Sequence, residues 1–559
     1  MDTVTSILSG ISVLQVLSSL ALAAFAAIAI DYARVLKQRR KLPPGPLPWP
    51  IVGNTFQLPD VKPWVWFEEV SKQYKCPVIT IWIGRNPTVW LNDVWSAYEL
   101  LEKRANVFSS RPRMVVFGEL GTGDWNLVTM KYGERWRVHR KITHQGIGAQ
   151  VVKDYRELQD GESKVLALEL LTEPEEYVMH YERYATSVVS IIGFGRRIPS
   201  YKDPIITDVI RVMHIAAALN VPGKTFPMLM ETFPFLAKIP GNWFWKKGLG
   251  SRRGSRDFFY ALAEEANRKS DWDCFSKQVF ALRDQYELSE REIGALTGNL
   301  FGAGSDTTSS TLISLTLALC AFPEVVAKAH EELEKVVGSQ RSPTWTDAPN
   351  LPYIKGVVSE IFRWRNTAII GGQPHANTEE VTWNGWTFPA GTWTQANLWA
   401  IHRSEREYKD SDSFRPERWL EDEKADLRGE YPGCGGRGYS SFGFGRRVCS
   451  GQALAEQGMY ITVARLLWAF KIEKALNANG KEIPVDTFAY TNGLNMRPKP
   501  FNCRFTVRNE EVRKTIEREA KEAMLDLERF AGETKLRARD FWGGRKSEEE
   551  ADSLIQNEK

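Results

Sequence analysis

The chain has 559 residues, 43% of them hydrophobic and 25% charged, the balance of a large globular protein. A net charge of +4 is too small to imply a nucleic-acid partner, and no arginine-rich arm or nucleic-acid module interrupts the chain. The six cysteines are scattered with no C-x-x-C pair, which argues against a secreted disulfide framework and fits a reducing compartment.

In chain order, the first feature is an uncharged run from Thr3 to Ile30, longer than the ~20 residues needed to cross a bilayer. A cleaved signal peptide is the competing reading. Asp2 stands where a basic start is needed and the run is too long for a signal core, so residues 1–32 are expected to be an uncleaved transmembrane anchor. Arg34, Lys37, Arg39, Arg40 and Lys41 follow it, and positive charge on that side places everything downstream in the cytosol. Between Leu42 and Asn54 five prolines and two glycines forbid helix, so 33–54 reads as a basic, stiff linker.

Beyond the linker, Val78–Gly84 and Pro87–Leu91 are β-branched and aromatic runs around Arg85-Asn86, a hairpin pattern. Asn384-Gly385 signals a second hairpin. The rest is mostly helical, with apolar residues at three- and four-residue spacing, as at Val165–Leu171 and Ile461–Phe470. Ser289 and Glu292 have the spacing of a capping box, opening a helix of about thirty residues that should stop near Pro323. From Asn509 a charged, weakly amphipathic helix begins a tail over 509–559, with its last residues expected to fray.

One stretch carries chemistry. In "FGFGRRVCSG", Phe442 to Gly451, a cysteine follows two arginines and two glycines. Neighbouring positive charge and backbone N–H groups lower a thiol's pKa and favour a metal-ligating thiolate. A glycine-rich turn that merely contains Cys is the bland alternative. The five positions Phe442, Gly445, Arg447, Cys449 and Gly451 should coincide by chance in roughly one chain in ten thousand of this length.

That pattern resembles the haem-binding loop of the cytochrome P-450 superfamily, the haem-thiolate monooxygenases. The resemblance implies a mainly α fold with small β-sheets: one large helical haem domain over 55–508, preceded by the N-terminal transmembrane helix. Cys449 would be the axial ligand of haem b (iron protoporphyrin IX), pushing electron density onto the iron. Glycines at 443, 445 and 451 let the chain pass close to the porphyrin, Arg447 can pair with a propionate, and Phe442 would keep water from the sulfur.

Other parts of the family pattern occur in order. "AGSDTT", Ala303 to Thr308, resembles the oxygen-activation segment: Gly302 and Gly304 would let the helix open over the haem, and Asp306 and Thr307 would deliver protons. Ser and Thr inside helices also commonly just bond back to the preceding turn. Glu360, Arg363 and Arg418 match a structural Glu-Arg-Arg triad; alone, a carboxylate and an arginine three apart are common on any helix face. Trp136 and Arg140, four apart, match the propionate-binding helix, and His375 resembles a further position near a propionate. Asn366 departs from the pattern, since many members carry proline there.

From the resemblance follow the expected partners. No flavin domain is visible, so electrons should come from a separate NADPH-dependent cytochrome reductase, for which Lys131, Arg135, Arg137, Arg437 and Arg446 could form a basic face or could equally be solvated charges. "GNWFWKKG", Gly241 to Gly248, reads as a membrane-interface belt, with burial in the core as the competing reading. Microsomal relatives imply an endoplasmic reticulum membrane location, single-pass, with the catalytic domain in the cytosol. By family position the pocket draws on Val115 to Leu120, Leu300, Ala303, Ile369, Ile370 and Asn492 to Leu494, apolar enough for a hydrophobic ring system. "RWR", "GGQPH" and "NLWAIHR" resemble fungal members that act on secondary metabolites. Hydroxylation is the expected reaction; oxidative phenol or aryl coupling, or a haem protein without turnover, are the alternatives.

Overall fold

A computed structural model describes residues 13–218, 230–240, 249–420, 431–493 and 495–541. The start of the apolar run, the Gly241–Gly248 belt, Leu494 and the last residues of the tail lie outside them. Helix α1 (Val13–Arg39) is apolar and has no buried residue, long enough to cross a membrane. Its polar end is tied to the linker: Tyr32 Oη donates to the Pro48 carbonyl at 3.0 Å, and Arg39 Nη2 to the Gly45 carbonyl at 2.8 Å.

The body is mainly helical. Its longer helices are α2 (Glu134–Ile147), α3 (Arg156–Thr172), α4 (Tyr177–Phe194), α5 (Pro204–Ala218), α6 (Leu249–Lys269), α7 (Glu290–Ala321), α8 (Pro352–Trp364), α9 (Gln452–Ala469) and α10 (Glu510–Leu527). The 32-residue α7 starts as its sequence predicts: Ser289 Oγ accepts from the Glu292 N–H, and Glu292 Oε2 accepts from the Ser289 N–H at 3.0 Å. It ends before Pro323, which opens the next helix after a 102° bend because proline cannot donate into the preceding turn.

Helix α7 packs chiefly against α4 and α6. Glycines make this closeness possible. A Cβ on Gly294 would lie 2.4 Å from the Arg256 carbonyl oxygen, one on Gly298 2.5 Å from the Phe259 ring, one on Gly302 2.6 Å from Met213 Sδ and one on Gly304 2.3 Å from Val189. The helix is unbroken through these positions, so the expected local opening at Gly302 and Gly304 is not seen; their missing side chains admit neighbouring helices instead.

A four-stranded sheet flanks the bundle. Strands β1 (Val78–Ile83) and β2 (Asn86–Leu91) pair antiparallel, with Ile83 opposite Asn86, so the turn is Gly84-Arg85, one residue earlier than expected. Strand β3 (His375–Ala376) ends the sheet and β6 (Trp393–Ala396) joins it to β2. Strands β4 (Val381–Trp383) and β5 (Trp386–Phe388) form the second hairpin, with Asn384 at φ 48° and Gly385 at φ 81°, the left-handed pair such a turn requires. Strands β7 (Phe470–Lys474) and β8 (Cys503–Val507) pair antiparallel and lead into α10. That tail helix buries Val512, Ile516, Ala520, Ala523 and Leu527, a stripe at helical spacing, and packs on α3.

Candidate active site: a cysteine loop facing an arginine-lined cavity

The Cys449 loop closes on itself. The Cys449 N–H donates to the Phe442 carbonyl at 2.8 Å, and Gly443 N–H to the Ser440 carbonyl at 2.9 Å. Gly445 holds φ 56° with a would-be Cβ 2.2 Å from the Leu101 carbonyl oxygen, so only glycine fits there. Cys449 thereby reaches the wall of a 490 Å³ cavity just ahead of α9. Its exposed surface faces this interior space, with protein packed densely around it. Burial raises its thiol pKa, while the Gly451 N–H and the Arg140 charge act the other way.

Trp136 and Arg140 on α2, Arg447 and Phe442 on the loop, and His375 on β3 line the same cavity. The Trp136 indole Nε1 is buried with no hydrogen-bond partner. Arg140 donates to Ser450 Oγ. Arg447 donates to the carbonyls of Ser109, Leu127 and Met130 at 2.7, 3.1 and 2.7 Å. The three carbonyls leave its charge uncompensated, and burial, with Arg111 and Arg140 nearby, pulls its pKa down to about 8. Arg111 is wholly enclosed, donates to the Val128 and Gln373 carbonyls, and is pulled down to about 9 by the same desolvation. His375 Nδ1 is paired with the Phe108 carbonyl at 2.8 Å. Burial and the Arg111 and Arg447 charges hold this imidazole well below its ordinary pKa, hence neutral.

Arg111, Arg140 and Arg447 therefore cluster at one edge of a cavity that Arg256 also lines from α6 and that has no Asp or Glu among its described lining residues. Buried cations need a partner, and a ligand with carboxylates at one edge supplies it. Among the described residues no cluster of three or more His, Cys, Asp and Glu could hold a metal ion. A flat, apolar, dianionic metal chelate such as haem fits all of these features.

Opposite, α7 presents Ala303, Gly304, Thr307 and Thr308. Thr307 Oγ1 donates to the Ala303 carbonyl at 2.7 Å, the back-bonding that its helical position allows. Asp306 is buried beside the wall, and its Oδ2 accepts from Asn495 Nδ2 at 2.7 Å. Asn495 does line the cavity.

Glu360, Arg363 and Arg418 form a buried network outside the cavity. Glu360 accepts from Arg363 Nε at 2.9 Å and Nη2 at 2.7 Å, Arg418 Nε at 3.1 Å, the Arg415 N–H at 2.8 Å and Trp419 Nε1 at 2.9 Å. The expected pocket is shifted. Phe117, Leu300 and Ala303 line the cavity, but Val115 and Val116 pack on Met230, and Ile369 and Ile370 lie in the core beneath the sheet. Asn366 to Ala368 and Gly371 to Gln373 take their place, and Asn492 instead accepts from the Lys62 N–H. The basic face is partly spent internally: Arg437 pairs with Glu456 at 2.6 Å and Arg135 binds Glu292, while Arg446 donates to Tyr132 Oη at 2.6 Å. Arg111 escaped sequence reasoning because its neighbours Ser110 and Pro112 form no pattern; only the closure of Gln373 over it reveals the site.

The Cytochrome P450 family profile matches residues 43–505. Cytochrome P450 monooxygenase 58 of Postia placenta is 33% identical over 490 residues, 86% of this chain and 91% of that protein. Cytochrome P450 monooxygenase verL of Clonostachys rogersoniana is 32% identical over 510 residues, 87% and 91% of the two chains, and yanC of Aspergillus niger is 32% identical over 508, 88% and 94%. With this extent of likeness and a cysteine facing an arginine-lined cavity with no acid among its described lining residues, the chain belongs to the cytochrome P450 family of haem-dependent monooxygenases.

Proposed function

We propose that this chain oxidises a hydrophobic, aromatic or polycyclic secondary metabolite, held to the endoplasmic reticulum membrane by α1 and fed electrons by a separate NADPH-dependent flavoprotein reductase. The observation that carries this reading is the Cys449 side chain opening into a 490 Å³ cavity walled by Phe117, Val188, Val212, Phe259, Leu296 and Leu300. Such a mostly apolar wall suits a ring system.

Haem bound there supplies the reductive activation of dioxygen, one oxygen atom going to substrate and the other to water. Cys449 would hold it through Sγ. Trp136 Nε1, Arg140, Arg111 and Arg447 would take the propionates, and His375 would take a second proton when a carboxylate sits beside it. Phe442 and Phe362, ring centroids 5.1 Å apart, keep water from the sulfur side. Thr307 Oγ1 holds a proton at the opposite wall and can pass it into the cavity, with Asp306 behind it as reservoir. Lys131 and Arg137, with Arg446, whose partner Tyr132 is an uncharged phenol, would be the reductase-facing cations. The free α1 surface, with mean hydropathy 2.3, supports the anchor.

The test is the carbon monoxide difference spectrum of the reduced protein, compared with Cys449→Ser. Thiolate ligation shifts the Soret band to the red in the wild type alone; a wild-type band without that shift overturns the ligand assignment. Co-expression with a reductase, with and without this chain, then identifies the substrate by the compound consumed.

A further inference from the structure

The family profile ends at residue 505, yet the chain continues as α10 and then as a segment, 528–541, that has short 3-10 turns at Glu528–Phe530 and Ala538–Phe541 and returns over the body. The Arg197 N–H donates to the Phe530 carbonyl at 2.9 Å, and Arg196 Nε to the Gly532 carbonyl at 2.8 Å. Thr534 Oγ1 then donates to Glu265 Oε2 on α6 at 2.6 Å, and the Ala538 N–H to Asp208 Oδ2 on α5 at 2.9 Å. Phe530 stands edge-on to Trp272 with centroids 5.2 Å apart, and Phe541 lies 5.9 Å from Phe258 of α6. Phe530, Thr534 and Ala538 are buried, so this is a packed strap.

The two helices it grips form one wall of the cavity. Helix α5 contributes Val212, one turn after Asp208, and Met213, whose sulfur rests against Gly302. Helix α6 contributes Ser255, Arg256 and Phe259. Asp208 is only 9% exposed; burial raises its carboxyl pKa and the Ala538 N–H opposes that rise.

We propose that the segment 528–541 is a strap that fixes the substrate-facing wall, with Asp208 as its positioning residue: by tying α5 and α6 from outside, it sets how readily large ligands enter and leave. Asp208 does not touch the cavity itself; it acts through α5 on Val212 and Met213. What the wall does rests on the haem-and-substrate reading above, whereas what the strap holds does not.

The experiment uses the full-length holoprotein with Asp208→Ala, Asp208→Asn and Thr534→Val. Asparagine keeps an oxygen to accept the Ala538 N–H and is the rescue. Hydrogen exchange should quicken about tenfold across 204–218 and 249–269 in Asp208→Ala. It should stay near wild type in Asp208→Asn, with α9 unchanged in both. Dissociation of clotrimazole, a bulky aryl imidazole, should quicken about tenfold in Asp208→Ala by the same loss, while that of imidazole itself should not change. Thr534→Val should reproduce the exchange effect on α6, which keeps the test alive if Asp208→Ala fails to fold. Unchanged exchange at α5 and α6, or an equal rise at α9, overturns the strap. Altered exchange with unaltered clotrimazole release overturns its role in access. If exchange responds but the wild type binds no azole, the strap stands and the haem reading falls.

Discussion

Glu360→Gln isolates what holds the cysteine loop in place. Both carboxylate oxygens are fully buried and saturated: Oε1 accepts from Arg363 Nη2, Arg415 N–H and Arg418 Nε, and Oε2 from Arg363 Nε and Trp419 Nε1. An amide keeps the shape but turns one of these oxygens into a donor. Whichever way it sits, at least two donors then face an NH2 group, and two guanidinium groups lose their counter-charge. Breaking a buried pair in this way costs about 3–5 kcal/mol, against a total stability of about 5–15 kcal/mol, so the folded ratio falls by roughly two to four powers of ten. The damage should reach the haem first. Helix α8 carries Phe362, whose carbonyl accepts from Ser441 Oγ and whose ring packs on Phe442. In a urea titration of the holoprotein the Soret band should therefore collapse at lower urea than tryptophan fluorescence, and both midpoints should fall. A loss smaller than about 1 kcal/mol, the range of an exposed ion pair, would refute the reasoning.

Four further outcomes follow from the site. Gly445→Ala puts a Cβ 2.2 Å from the Leu101 carbonyl oxygen at φ 56° and should abolish haem incorporation, seen as a Soret-to-protein absorbance ratio near zero. Trp136→Phe removes the orphaned N–H and should speed haem transfer to an apo-globin acceptor about tenfold, with the carbon monoxide spectrum unshifted. Thr307→Ala should keep reductant consumption but divert it from product to hydrogen peroxide; unchanged coupling removes Thr307 from proton delivery. Glu231, which accepts from the Val115 and Val116 N–H groups at 2.9 Å each, has its carboxyl pushed up to about 7 by burial. A raised carboxyl binds its proton more tightly when folded, so its contribution is complete below about 4.5 and is lost as pH rises through about 7. Glu231→Gln should flatten that pH dependence, measured as hydrogen-exchange protection of 115–122.

Local signals were legible wherever the physics is local. The capping box at Ser289 and Glu292, the Asn384-Gly385 turn and the glycines of the cysteine loop each act through their own backbone, and sequence spacing alone placed them. The fold class and the family followed from the order of such segments. What spacing could not supply was direction and partner. The glycines of α7 looked like a weak point in a helix, but only the approach of Met213 and Val189 shows them to be contact points. Asp306 and Thr307 adjoin in sequence, yet successive helical residues face different ways, so Thr307 lines the cavity while Asp306 turns to Asn495.

The sequence by itself determined the cysteine, its loop and the helices around it, because backbone geometry and short-range spacing encode them. Only the tertiary structure decided the charge balance of the cavity. Arg111, Arg140 and Arg447 come from three distant stretches, and their shared lack of an acid partner exists only once the chain has closed around them. It decided the tail as well. Whether the stripe from Val512 to Leu527 and the segment beyond it are solvated or packed depends on α3, α5 and α6, which lie hundreds of residues earlier and meet it through burial of apolar surface.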